Sequence, residues 1–444
     1  MRNSTLLILF LAIAKMGSLK AQQDTRLDLQ EAVDMALTNS NASKIAESKV
    51  KIAEGELKTT QNMQYPDFNL SGQYLYLSNA DVTLASSGNS GSEGDGEEGD
   101  GSGSSTTPDV NSLAFGQASV SMPIFSGFKL KNLVSASKNG YQAATLNAEN
   151  DQEQIALQTI QLYLSLYKAE QTIELVQENL KSAQQRVKDF TNMLNNGLLA
   201  KNDLLKSQLQ ESNISVSLEE AKKNRRILNS RLATLLKLDK NVTIQPAVDK
   251  NIAMPLIEEQ SIERKDLEAL HYQQEAANDQ IKIEKADYYP SLSLSGGYVA
   301  LDLKNAVTVK NAMNVGVGIS YNVANLFKNK AKVKLAESKA QELNYQIQQA
   351  RDNIALQVEN AQDELDVTLN KFTTYTQSEE QAIENYRIVK DKYDNGLVDT
   401  NDLLEADVQQ LQARINLAYA TADITQKYYE LLAARGVLKQ QFTK

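Results

Sequence analysis

Along most of this chain, mostly apolar residues recur in alternating steps of three and four. Ile173, Val176, Leu180, Ala183, Val187, Phe190 and Leu194 form one ladder; Phe372, Tyr375, Glu379, Ala382, Tyr386, Val389 and Tyr393 form another, and every rung of the second is the first plus 199. Such spacing puts the rungs on one stripe of a helix and is the seam of a left-handed coiled coil. Both ladders run into an Asn-Gly, at Asn196-Gly197-Leu198-Leu199 and at Asn395-Gly396-Leu397-Val398. Asn and Gly tolerate the left-handed conformation that ends a helix, and the Asn202-Asp203 and Asn401-Asp402 that follow read as caps of a returning helix. The return arms keep the offset, with Leu218, Ala221, Arg225, Leu228, Leu232 and Leu235 answered by Leu417, Ala420, Ile424, Lys427, Leu431 and Ala434. The pattern predicts a helical hairpin given twice.

In four places the period falls to two, which predicts strands with one apolar and one polar face. These are about 67–78, about 112–125, about 291–302 and about 312–324. Tyr65-Pro66 and Tyr289-Pro290 end the helices that precede the first strand of each pair, since proline breaks the helical ladder. Each half therefore reads helix, strand, strand, long helix, turn, return helix. The first repeat spans 22–240 with its hairpin tip at 195–203, and the second spans 241–444 with its tip at 394–402. The long helices, about 129–195 and 325–394, are on the order of 100 Å each. The first return arm, about 202–238, is half that. The helical stretch at roughly 30–64 supplies the missing half if stacked end to end with it, and the irregular 239–260 forms a belt beside the junction.

Composition narrows the class. A hydrophobic content of 41% suits long thin helices better than a thick core. There are no cysteines, and His271 is the only histidine, so disulfides, thiolate metal sites and histidine-based catalysis are not available. No nucleophile–base pair, phosphate loop or metal cluster is evident, so no enzyme, cofactor or metal is expected. The net charge of −10 argues against nucleic acid. Residues 1–21 carry Arg2, the apolar run Leu6 to Ala14 and a small residue at Ala21, which reads as an export signal; its removal would leave −13. Between Ala85 and Asp109 lie only Gly, Ser, Thr, Asn and Pro with five acids, and no aliphatic or aromatic side chain. This is a solvated loop inserted in one half only, too glycine-rich to preorganise calcium.

No segment is long and apolar enough for a membrane helix, which needs about 20 residues. Four two-faced strands of barrel-crossing length leave the other route. Open sheet edges are not tolerated in lipid, and the smallest membrane barrels have about eight strands, so at least two chains must share one barrel.

The doubled helix-strand-strand-helix unit, the opening Leu27-x-Leu29-x-Glu31-Ala32-Val33-x-x-Ala36-Leu37, Tyr-Pro before a strand, and Gly-Leu-Val-x-x-x-Asp-Leu-Leu at the hairpin together resemble the TolC-type outer-membrane efflux family over essentially the whole mature chain. Departures are Ser40-Asn41-Ala42 where that family often has Asn-Pro, and Arg264-Lys265-Asp266-Leu267 where it has Arg-Pro-Asp-Leu. The resemblance implies a homotrimer with a 12-stranded outer-membrane β-barrel continuous with a long α-helical periplasmic barrel. It implies a periplasmic adaptor protein and an inner-membrane pump or ABC transporter as partners, in drug or metal efflux or type I secretion, with outer-membrane lipid around the barrel. By motif, Gly197, Leu198, Leu199, Gly396, Leu397 and Val398 match the adaptor-facing tips. Asp203 and Tyr393 match the pair that links neighbouring hairpins, and Asp402 with Glu405 match a ring of carboxylates at the periplasmic gate. Val398 stands where the family has a basic residue, which removes one expected link. The competing expectation is a secreted trimeric coiled coil, structural or adhesive and without a pore; it has no use for four alternating strands.

Overall fold

A computed structural model describes residues 24–80, 110–239, 241–247 and 262–442. The expected export signal, the acidic loop and most of the 239–260 belt lie outside the described residues. In chain order the elements are β1 (Asp24–Leu27), α1 (Leu29–Asn39), α2 (Asn41–Asn62), β2 (Asp67–Ala80), β3 (Val110–Phe125), α3 (Lys129–Asn195), α4 (Lys201–Leu236), β4 (Thr243–Pro246), α5 (Lys265–Ala286), β5 (Ser291–Leu303), β6 (Val307–Ser320), α6 (Asn325–Asp394) and α7 (Thr400–Arg435). The helix-strand-strand-helix order is present twice. The chain divides into two compact units: residues 1–52, 142–271 and 345–444, and residues 53–141 and 272–344.

The first unit is helical, and its main core forms where α1, α3, α4 and α7 share apolar faces. Val33 of α1, Ile160, Tyr163 and Leu164 of α3, Leu232 and Leu236 of α4 and Leu431 of α7 are fully buried there. The start of α1 thus shares a core with the end of α4, as end-to-end stacking of the two short helices requires. Asp28 starts α1 through a capping box with Glu31, and Ser40 breaks it from α2 by taking an extended conformation. The described part of the belt is ordered by side chains. Asn229 accepts from the Ile244 amide and donates to the Val242 carbonyl, both at 2.8 Å, which holds β4 parallel to β1. The Tyr163 hydroxyl donates to Leu27 O at 2.7 Å, and burial pushes its pKa up to about 12. Toward the hairpins the core thins to a coiled-coil seam, with Val176 and Ala183 of α3 against Ile214 and Leu218 of α4.

The second unit carries one antiparallel four-stranded sheet, in the order β2-β3-β5-β6. Its register sorts the side chains by face. Phe68, Val120, Gly296 and Val315 lie in one row across the sheet, and Leu70, Ala118, Tyr298 and Met313 in the next. The alternate rows hold Asn69, Ser119, Gly297 and Asn314, then Ser71, Gln117, Val299 and Ala312. Across these rows one face is apolar, and it is bare: Leu70 is 87% and Val315 86% exposed; toward the β5–β6 turn the same face takes on Asp302 and Thr308, in the row of Tyr74 and Ala114. β6 starts earlier and stops sooner than the alternation predicts. Asn305, at φ 67°, turns the chain tightly after β5. At the other end the Asn322 side chain accepts from the Ala324 amide at 3.1 Å, an Asx turn that closes the strand before α6. Among the described residues no helix is long and apolar enough to cross a membrane.

Candidate functional site: the paired hairpin tips

The two tips, both in the first unit, are built alike atom for atom. Gly197 and Gly396 both sit at φ 71°. Their amides donate to Leu194 O and Tyr393 O, both at 2.9 Å, and the next amides, of Leu198 and Leu397, donate to Met193 O and Lys392 O at 2.9 Å. This is the Schellman closure, in which two otherwise orphan carbonyls are satisfied and the residue at positive φ is most often glycine. Asn196 and Asn395 add a side-chain bond to the Asn192 and Asp391 carbonyls. The ring of bonds turns Leu198 and Leu397 outward, 72% and 74% exposed, while Leu199 and Val398 are half-buried.

The tips differ in how the return helix begins. Asp399 caps α7, accepting from the Asn401 and Asp402 amides, and Asp402 answers by accepting from the Asp399 amide at 3.3 Å. Those backbone donors hold the Asp399 carboxyl below its usual range. At the matching position of α4 stands Ala200, with no side-chain cap. The sequence pattern puts the caps at Asn202-Asp203 and Asn401-Asp402; the structure corrects this. Both pairs lie inside the first turn, because the turn closes three residues earlier than the Asn-Asp motif suggests.

The other gate residues lie as follows. Asp402 and Glu405 are exposed on α7. Tyr393 stacks on Phe190 with ring centroids 5.6 Å apart, and its hydroxyl meets Thr400 at 3.4 Å. Asp203, half-buried, has Lys206 at 3.8 Å. It reaches Tyr393 through its field, since burial and then the Asp203 charge both push the phenol up. Phe190, Leu204 and Leu403 close a small apolar cluster beneath both tips. Beside it opens a cleft of about 880 Å³, lined by Arg186, Met193, Leu198, Tyr386 and Val398 among others.

One feature escaped the sequence pattern. Arg186 of α3 and Asp407 of α7, with side chains 8% and 4% exposed, form a salt bridge at 3.2 Å. Asn179 donates to the other Asp407 oxygen at 3.3 Å, and Arg186 also reaches the Tyr386 hydroxyl of α6 at 3.4 Å. Burial alone would lower the Arg186 pKa, but the charge and hydrogen bond of Asp407 outweigh it and keep the guanidinium protonated. A signal was present: Arg186 precedes Gly197 by 11 residues and Asp407 follows Gly396 by 11, so antiparallel helices bring them level.

The family model for the outer membrane efflux protein matches residues 32–236 and 256–437. The chain belongs to the outer membrane efflux protein family. Solved structures share the fold at low identity. The outer membrane channel CmeC of Campylobacter jejuni is 20% identical with a TM-score of 0.78, over 92% of this chain and 86% of that one. The outer membrane protein VceC of Vibrio cholerae is 17% identical at 0.74, over 92% and 96%. The MtrE outer membrane channel of Neisseria gonorrhoeae, in its open state, is 17% identical at 0.70, over 94% and 91%. No curated protein matches. Membership of this family places the protein in the outer membrane of a Gram-negative cell.

Proposed function

We propose that this protein is the passive exit duct of a tripartite efflux or type I secretion system. Three copies close one 12-stranded barrel in the outer membrane and one helical tunnel below it. The observation that carries this reading is the sheet: its apolar face is bare, and its outer strands β2 and β6 have no further strand beside them in the described chain. In lipid each unpaired backbone group costs several kcal/mol, and joining copies edge to edge removes both defects. The paired tips form the periplasmic end, where an adaptor docks against Leu198 and Leu397, exposed, with Leu199 and Val398 beside them on the glycine turns of Gly197 and Gly396. An inner-membrane pump or ABC transporter delivers cargo to it.

Asp402 and Glu405, exposed on α7 one turn apart, form the gate ring with their symmetry mates, and Asp203 and Tyr393 link neighbouring hairpins. Carboxylates gathered round an axis concentrate cations by focusing the field. The purified protein reconstituted in planar bilayers is expected to conduct, and divalent or trivalent cations to block the current from the tip side. Asp402→Ala with Glu405→Ala is expected to relieve that block by tenfold or more. A conducting channel whose block is unchanged by both substitutions removes the ring assignment; absence of conductance removes the duct.

A further inference from the structure

Within the chain, α3 and α7 are joined by a polar ladder that keeps one antiparallel register over its length. Arg186 meets Asp407, Glu178 meets Arg414 at 2.9 Å, Thr172 meets the Tyr419 hydroxyl at 2.7 Å, Lys168 pairs with Asp423, and Gln161 donates to Glu430 at 3.0 Å. The duplication supplies a second copy of this seam. Adding 199 to the α3 residues gives positions on α6, and subtracting 199 from the α7 residues gives positions on α4. Among the described residues no hydrogen bond or ion pair joins those positions to each other. Gln208, Glu220, Asn224 and Arg231 on α4 are all exposed, and so are Asn360, Val367, Lys371 and Asn385 on α6, whereas their α3 and α7 counterparts are buried or half-buried.

We infer that the α4 face of one copy packs on the α6 face of the next in the register of the α3–α7 seam, with Glu220 of one copy meeting Lys371 of its neighbour. Glu220 and Lys371 stand at the rung that Thr172 and Tyr419 fill inside the chain, and they are of opposite charge. Neither has an ion-pair partner among the described residues. An interface between two different surfaces of the same chain is head-to-tail and closes a ring when its rotation permits. The inference rests on the trimer reading and adds which residues meet.

The sheet carries the same register independently. β2 and β5 correspond with an offset of 224, matching Leu70 to Leu294, Gly72 to Gly296 and Tyr74 to Tyr298, while β3 and β6 keep 199. Inside the chain Ala118 faces Tyr298 and Val120 faces Gly296. The transferred pairing sets Val317 opposite Tyr74 and Ile319 opposite Gly72 of the next copy, so that apolar residues or glycine meet across the new seam.

The chain has no cysteine, so introduced thiols report contacts cleanly. In full-length protein in membranes, Glu220→Cys with Lys371→Cys is expected to give covalent trimers on oxidation or with a short bismaleimide. Thr172→Cys with Tyr419→Cys is expected to cross-link inside one chain and leave monomers on a denaturing gel. Separately, Glu220→Lys or Lys371→Glu alone is expected to lower the temperature at which the trimer dissociates, and the double charge swap to restore it. A native trimer in which Glu220→Cys with Lys371→Cys gives no covalent link, or a swap no better than its single variants, overturns the register while leaving the trimer intact. A monomer in detergent overturns both.

Discussion

Arg186 and Asp407 show how much one buried pair decides at the scale of the residue. Each charge has lost its water, so each depends on the other. Removing one partner of such a pair leaves an uncompensated charge and costs about 3–5 kcal/mol, whereas replacing both by apolar residues of similar volume is often near neutral or stabilising. Arg186→Met and Asp407→Leu are each expected to lower the melting temperature clearly, and the double variant to recover most of the loss, as followed by thermal unfolding with circular dichroism. A double variant as unstable as the sum of the singles would mean that the two side chains carry no coupling and that the pairing is not what holds them buried. Neither residue stands on the apolar ladders. The ladders mark the apolar stripe of each helix, whereas this charged pair joins α3 of one hairpin to α7 of the other. A pattern local to each helix carries no information on which of its charged residues meets another helix, although the equal spacing from the two glycines encodes the level at which these two meet.

At the scale of the element, local rules fix the ends of helices well. The predicted bounds of α3 and α6 agree with the structure because proline, glycine and asparagine act on the backbone within one or two residues. The N-terminal caps of the return helices were displaced by three residues. An Asp can serve either as the cap or three positions later as its reciprocal partner, and the choice depends on where the glycine turn hands over the chain. The two tips now form a natural comparison, since Asp399 caps α7 and Ala200 leaves α4 uncapped. Ala200→Asp is expected to build with Asp203 the box that Asp399 makes with Asp402, because the tips share their turn geometry. Hydrogen exchange at the amides of 202–204 should slow several-fold; unchanged exchange would show that the first turn of α4 is held by something other than its cap.

On the scale of the whole molecule, the bare apolar face of the sheet and the two bare leucines at the tips ask for different surroundings. An apolar row of Leu70 and Met313 suits lipid, while a single outward leucine on each rigid glycine turn suits a protein groove, where a well-packed aliphatic side chain in a central pocket carries much of the binding energy. Leu198→Asp with Leu397→Asp changes no buried contact, so trimers are expected to form normally. Export and co-purification of the periplasmic adaptor are expected to fall at least tenfold. Wild-type export with both aspartates in place would exclude docking through the tips.

The amino-acid order alone determined the duplication, the four two-faced strands, the long helices and the Asn-Gly turns, because each follows from a period or from a backbone preference that acts over a few residues. It also carried the membrane argument, since the alternation in 67–78 and 312–324 already implies a sheet with one face for lipid. Only the tertiary structure decided the strand order β2-β3-β5-β6, the α3–α7 ladder, the burial of Arg186 with Asp407 and the meeting of Tyr393 with Phe190. These join residues tens to hundreds of positions apart, and their energy depends on desolvation and on which faces come together, quantities that no local periodicity encodes.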